Sequence, residues 1–265
     1  MLCEDTLSIN ASATKKNVFA FLRNQMGVSQ AGGLVLGMSG GIDSSVVATL
    51  SAQALGPDKV LGLVMPSGTT DPQDMQDARD LGESLQIEQE LVDIRSLEKA
   101  FTEVCPHFDS KDPISKGNLQ PRFRMLVLYY YANKLDRLVV GSGNRSELLV
   151  GYFTKYGDGG VDMLPIGDLY KTQVRQLARS LDIPAPIIQK PPSAGFWPGQ
   201  TDEGEMGIEY LTLDLILHGI VDLKMDRAEV AKALNIPEEM VKKVLQMIEN
   251  SQHKRELPPI PKLRL

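Results

Sequence analysis

The chain has 265 residues, of which 42% are hydrophobic and 23% charged, and its formal net charge is −6 at pH 7. No apolar run approaches the ~20 residues that a membrane helix needs, and the excess of acids argues against a nucleic-acid partner, which calls for a basic stripe. Residues 1–10 carry two acids and no basic cluster ahead of an apolar stretch, so neither a secretory nor a transit signal is read there and a cytoplasmic location is expected.

The length fits one α/β domain over residues 1–265. Cys3 and Cys105 stand far apart without a CxxC or Cys/His cluster, which excludes a disulfide framework or zinc site; one loose and one packed thiol are expected. In chain order, residues 33–38, 60–65, 90–94 and 137–141 are short runs rich in Val, Leu and Ile, and they read as buried parallel strands. Between them, residues 43–55, 72–85, 97–104 and 122–135 have helical spacing. The alternation predicts a doubly wound α/β sheet, mostly parallel, with helices on both faces. Beyond Gly141 come a glycine-rich connection, a helix near residues 171–181, a Pro/Gly-rich stretch and several helices before a proline-rich tail, so a helical C-terminal part is expected. Residues 190–204, KPPSAGFWPGQTDEG, are too rich in Pro and Gly for regular structure and predict a mobile lid.

In a doubly wound sheet ligands bind outside the carboxyl ends of the strands. There the first strand runs into Ser39-Gly40-Gly41-Ile42-Asp43-Ser44-Ser45 and then a buried helix. The glycines, the helix-start amides and the hydroxyls form an anion cradle suited to phosphate. Asp43 would repel that phosphate unless a divalent cation bridged the two, and magnesium is the natural ion.

This SGGxDS loop resembles the pyrophosphate loop of the PP-loop ATP pyrophosphatases. Neither GxxxxGK[ST] nor a suitably placed GxGxxG is present, so Walker and Rossmann sites are not expected. Further matches narrow the resemblance: GNLQPRFRM at Gly117, GSGNRSELLVGYFTKY at Gly141, GDGGVDMLPIGDLYKTQVRQLA at Gly157, KPPSAGFWPGQTDE at Lys190 and HKR at His253 are similar to the NAD synthetase family. That resemblance implies an adenine nucleotide alpha hydrolase-like fold and an ATP-dependent amidation of deamido-NAD by ammonia, through an acyl-adenylate. It implies ATP contacts from Gly37, Met38, Ser39, Gly40, Gly41, Ile42, Asp43, Ser44, Ser142, Lys171 and Ser193. It further implies catalytic roles for Asp43 and Lys171, a magnesium ion (Mg2+) on Asp43 and Glu147, and contacts to deamido-NAD from Arg122, Lys155, Asp162, His253 and Lys254. A homodimer is implied as well.

The chain departs from the family at Gln120-Pro121, where Lys-Ala commonly precedes the arginine; proline suits a first helical turn, and a phosphate contact is lost with the lysine. The synthetase motifs fill the chain and leave no room for a glutamine-hydrolysing domain, so free ammonia is the expected nitrogen donor. The rivals are another PP-loop enzyme acting on tRNA or forming GMP, and a nucleotide sensor that kept the fold without turnover.

Overall fold

The computed structural model describes residues 2–197 and 199–263. In chain order, α1 (Ala11–Ser29) precedes β1 (Gly33–Gly37), α2 (Ile42–Leu55) leads to β2 (Val60–Val64), and α3 (Pro72–Ser84) leads to β3 (Glu88–Leu91). Then α4 (Arg95–Val104), α5 (Pro113–Gly117) and α6 (Leu119–Leu135) return to β4 (Arg137–Val140). The remainder is helical: α7 (Arg145–Val150), α8 (Lys171–Ser180), α9 (Ala185–Gln189), α10 (Asp202–Met206), α11 (Tyr210–Leu217), α12 (Arg227–Leu234), α13 (Glu238–Asn250) and α14 (Gln252–Arg255).

The four strands form a parallel sheet in the order β3-β2-β1-β4. Alternation along the strands sends side chains to opposite faces. Leu34 and Leu36 of β1 join Val60 and Val64 under α1, α2 and α8, whereas Val35, Leu61 and Leu63 pack under α4 and α6. Helices thus cover both faces, as the strand–helix alternation predicts. A third apolar cluster, built on Tyr210, Leu213, Ile216, Leu217, Val230 and Val241, holds the C-terminal helices together and takes in Leu2 and Leu7 from the N-terminus. Among the described residues no helix is long and apolar enough to cross a membrane. Cys3 is exposed and Cys105 is half-buried, both as free thiols.

Two sequence expectations are corrected. The third strand is Glu88–Leu91, not residues 90–94, and it is the exposed sheet edge instead of a buried strand. Its apolar run marks the exit: Val92 and Ile94 donate their amides to Val64 O and Pro66 O, and Ile94 alone sinks fully into the core. Residues 190–204 are not free of regular structure, since α10 begins at Asp202. The segment is also tied down: Thr69 Oγ1 donates to Gly195 O at 2.6 Å, Asp202 N donates to Pro192 O at 2.9 Å, and Lys190 pairs with Asp74 and Asp77.

The order β3-β2-β1-β4 puts the reversal of direction between β1 and β4, so a crevice opens where their carboxyl ends diverge. Gly40 is what lets the chain leave β1 into that crevice: its φ is +75°, and a Cβ there would stand 2.2 Å from Asp74 O of α3. Both the left-handed backbone and the backbone-to-backbone approach exclude a side chain. Gly40→Ala is expected to lower unfolding stability by more than about 1 kcal/mol, measured as a shift of the denaturant midpoint at unchanged slope.

Candidate functional site

At the mouth of the crevice, residues 37–44 form the turn from β1 into α2. Gly41 is the N-cap of α2 and supplies no side-chain cap, so the first amides of the helix keep their positive field for a ligand. The serine hydroxyls bond within the turn. Ser45 Oγ donates to Gly41 O at 2.8 Å and Ser44 Oγ to the same carbonyl at 3.0 Å, both side chains being buried. They hold the loop's shape, while exposed Ser39, 3.0 Å from Ser44 Oγ, keeps its hydroxyl at the surface of the cradle.

Asp43 on α2, Glu147 on α7 and Lys171 at the start of α8 meet here. The Lys171 side chain is 2% exposed, and its Nζ donates to Asp43 Oδ2 and, at 3.2 Å, to Glu147 Oε1. Nζ also lies 5.1 Å from the centre of the Tyr210 ring. A helix-start lysine is ordinarily solvated; here it is enclosed because carboxylates and an aromatic face replace water. Tyr210 Oη stands 3.4 Å from Glu147 Oε1 and donates to Asp202 Oδ2 at 3.0 Å, which brings a third carboxyl to the group. Burial pushes Glu147 up to about 8, Lys171 pulling against it and Asp43 and Asp202 adding to it. Burial would lower Lys171, but Asp43 and Glu147 more than reverse this and hold it charged.

Asn144, absent from the sequence-predicted set, is fully buried between the two carboxylates. It forms a capping box with Glu147: Asn144 Oδ1 accepts from Glu147 N at 3.1 Å, and Glu147 Oε2 accepts from Asn144 N at 3.2 Å. Asn144 Nδ2 then donates to Asp43 Oδ1 at 3.2 Å. The spacing Asn-x-x-Glu was the available signal. Asp202, Tyr210 and Asp214 were also missed; Asp214 was detectable as a lone acid inside the apolar run of α11.

Ser142 lies in the β4–α7 turn, half-buried, two residues before Asn144. Ser193 is exposed in the 190–204 segment, where its Oγ accepts from Gly195 N at 3.1 Å. The residues expected to hold the dinucleotide split into two places. Arg122 Nη2 donates to Lys155 O at 3.4 Å, Lys155 Nζ donates to His253 O, and Lys254 Nζ donates to Gly151 O and Phe153 O at 2.7 and 2.8 Å. Burial lowers Lys254, the Asp158 carboxylate pulls against it, and the charges of Arg122 and Arg255 add smaller downward contributions. Asp162 instead runs beside β4, its Oδ2 accepting from Val139 N at 2.7 Å and its Oδ1 from Tyr129 Oη at 3.0 Å. Gln120 and Pro121 are buried in the first turn of α6, as proline allows, and Gln120 Nε2 donates to Thr69 Oγ1 at 3.3 Å.

A doubly wound sheet with an uncapped helix N-terminus, a carboxylate pair and an enclosed lysine at its switch point places the chain among α/β proteins with a ligand crevice suited to phosphate. The family model for NAD synthase matches residues 14–258. The NH(3)-dependent NAD(+) synthetase of Archaeoglobus fulgidus is 48% identical over 97% of this chain and 99% of its own. Among solved structures, an NMN synthetase from Francisella tularensis matches with a TM-score of 0.86 and 36% identity, over 97% of this chain and all of the other. An NH3-dependent NAD synthetase from Campylobacter jejuni, in complex with the nitrate ion, matches at 0.80 and 29%, over 96% and 100%. The chain belongs to the NAD synthase family.

Because Glu147 rises from 4.5 to about 8 on folding, the ligand-free folded protein holds one more proton than the unfolded chain between those values. Stability without nucleotide or divalent cation is therefore expected to fall as pH rises from 4.5 to 8. Glu147→Gln should flatten that part of the slope, measured by denaturant unfolding at several pH values.

Proposed function

We infer that this protein makes NAD by ATP-dependent amidation of deamido-NAD with ammonia, releasing AMP and pyrophosphate. The observation that carries this reading is the enclosed Lys171 between Asp43 and Glu147, set beside the glycine–serine turn at the switch point. Near full-length identity to ammonia-dependent relatives supports the same reaction.

In the first half-reaction a carboxylate oxygen of the nicotinate ring forms a bond to the α phosphorus of ATP, and pyrophosphate leaves with the electron pair of the broken P–O bond. The α2 amides and Ser39 orient the phosphates, and Lys171 offsets the charge that accumulates on them. Ammonia then bonds to the carbonyl carbon of the acyl-adenylate, AMP leaves with the C–O electron pair, and the nitrogen gives up a proton. No protein nucleophile is needed, so positioning and charge do the chemistry.

Among the described residues no group of three or more His, Cys, Asp and Glu side chains is arranged to hold a metal by itself. Two carboxylates completed by nucleotide oxygens suit magnesium, which is commonly held by one or two carboxylates and substrate phosphates. Asp43 and Glu147 would hold it, and when bound it neutralises the triphosphate. The surplus of acids over the one lysine supports that assignment.

The cations Arg122, Lys155, Lys254 and Arg255 gather at a groove of about 200 Å³ whose lining also includes Phe153, Tyr156 and one acid, Glu256, and their surplus suits an anionic part of the dinucleotide. We further propose a homodimer: Leu126 and Tyr130 stand one turn apart on α6, both well exposed, as an apolar face that a second copy would cover. The likeness to an NMN synthetase makes the corresponding mononucleotide acid the second acceptor to test.

The test is product formation with magnesium ATP and ammonium, supplying either acceptor. Equal amounts of NAD and pyrophosphate, dependent on deamido-NAD and abolished by Asp43→Asn, are expected; turnover of the mononucleotide alone would replace the substrate assignment. Calorimetry of magnesium ATP binding in buffers of different ionisation enthalpy should also show proton release below pH 8, because the metal displaces the proton that Glu147 holds. Binding should tighten as pH rises toward 8, and Glu147→Gln should release no such proton.

A further inference from the structure

The mechanism uses the ammonium of Lys171 but leaves open what holds that side chain in place. Lys171 and Thr172 are the first residues of α8, and their backbone amides need partners that the helix itself does not provide. Both are supplied from other helices. Lys171 N donates to Ser146 Oγ of α7 at 2.9 Å, and Thr172 N donates to Asp214 Oδ2 of α11 at 2.9 Å. Thr172 Oγ1 donates to the same oxygen at 2.8 Å, and Ser146 Oγ donates to Asp214 Oδ1. Asp214 and Ser146 are both 0% exposed.

We propose that Asp214 is a positioning residue, which clamps the N-terminus of α7 to that of α8 and so fixes the Lys171 ammonium against Asp43 and Glu147. This rests on the functional reading above. Ser146 directly precedes Glu147, so the clamp joins the backbone one residue from the site carboxylate to the backbone of the site lysine. Both oxygens of Asp214 are engaged, one toward each helix, and no shorter side chain or single acceptor could serve both. A carboxylate is the right group, because it accepts all three bonds and lies at the positive end of α8. Its own helix is anchored in the C-terminal apolar cluster through Leu213, Ile216 and Leu217. The clamp therefore carries the rigidity of that cluster to the reacting centre.

The test compares Asp214→Asn, Ser146→Ala and Thr172→Val with Ser51→Ala, which removes a fully buried hydroxyl that has no hydrogen-bond partner and lies outside the clamp. Thermal midpoints and steady-state kinetics are measured on each full-length protein. If Asp214 positions Lys171, Asp214→Asn and Ser146→Ala lose kcat by about 10-fold or more with KM for ATP and deamido-NAD held within about 2-fold, while Ser51→Ala keeps wild-type kcat. A folded Asp214→Asn with wild-type kcat overturns the proposal, as does an equal loss in Ser51→Ala. Should Asp214→Asn fail to fold, Ser146→Ala and Thr172→Val decide by the same criterion. If the wild type binds magnesium ATP but makes no NAD, the functional reading fails separately. The clamp is then judged by acylation of lysines with acetic anhydride and mass spectrometry. Lys171 shielded in wild type and Ser51→Ala but labelled in Ser146→Ala supports it; equal labelling in all three overturns it.

Discussion

One ammonium faces more negative charge than it can neutralise. Lys171 lies between Asp43 and Glu147, with Asp202 joined to the same group through Tyr210; Lys171 and Asp202 are buried and the other two carboxylates keep only a small contact with water. Enclosing ions costs several kcal/mol each unless partners replace water. Here the replacement is incomplete by design of the composition: three acids and one base leave net negative charge, which the ligand-free protein relieves by keeping Glu147 protonated. The same imbalance makes the site receptive to a cation, and through it to the polyphosphate that an isolated aspartate would repel.

The charged groups themselves stand at helix starts. Asp43 stands in the first turn of α2, Glu147 in that of α7 and Lys171 at the first position of α8. Helix starts present amides to anions and favour carboxylates. Asn144 ties the first two together by capping one helix and bonding to the acid of the other. The 190–204 segment joins through α3: the backbone of Asp74 packs on Gly40 of the phosphate turn, and its carboxylate pairs with Lys190. A displacement of the phosphate turn would therefore be felt at Lys190, the first residue of that segment.

The local part of this arrangement was legible in the sequence. Short Val/Leu/Ile runs separated by helical spacing gave the parallel sheet, and the turn Ser39 to Ser44 after a buried strand located the site because a switch point needs no side-chain detail to be found. Apolar content misplaces the third strand, because Val92 and Ile94 form the return into the core after the strand has ended. α1 was not read, because it buries only Val18 and Leu22 and so lacks a pronounced apolar stripe. The charge conflict at Asp43 called for a cation from sequence alone. That a lysine on α8 already fills part of the need followed only from contacts across 128 residues of chain, which neither periodicity nor spacing encodes. Asn144 and Asp214 each leave a local mark, a capping spacing and a lone acid in an apolar run, but their partners on other helices are not encoded locally.

Those long-range contacts also divide the labour between the two parts of the chain. The sheet and its helices supply a phosphate turn of a kind that many nucleotide proteins could offer, and by itself that turn carries the wrong charge. The countercharge, its aromatic cover and the acid that caps its helix come from residues 171–214; Tyr210 belongs to the C-terminal apolar cluster, and Asp214 stands in α11 between the cluster members Leu213 and Leu215. Assembly of the site is thus coupled to docking of that cluster. Without Lys171 in place, Asp43 would lose its ion-pair partner and Glu147 the attraction that offsets its burial. The energy that seats the C-terminal helices and the energy that makes the crevice fit for a nucleotide are, to that extent, the same interactions.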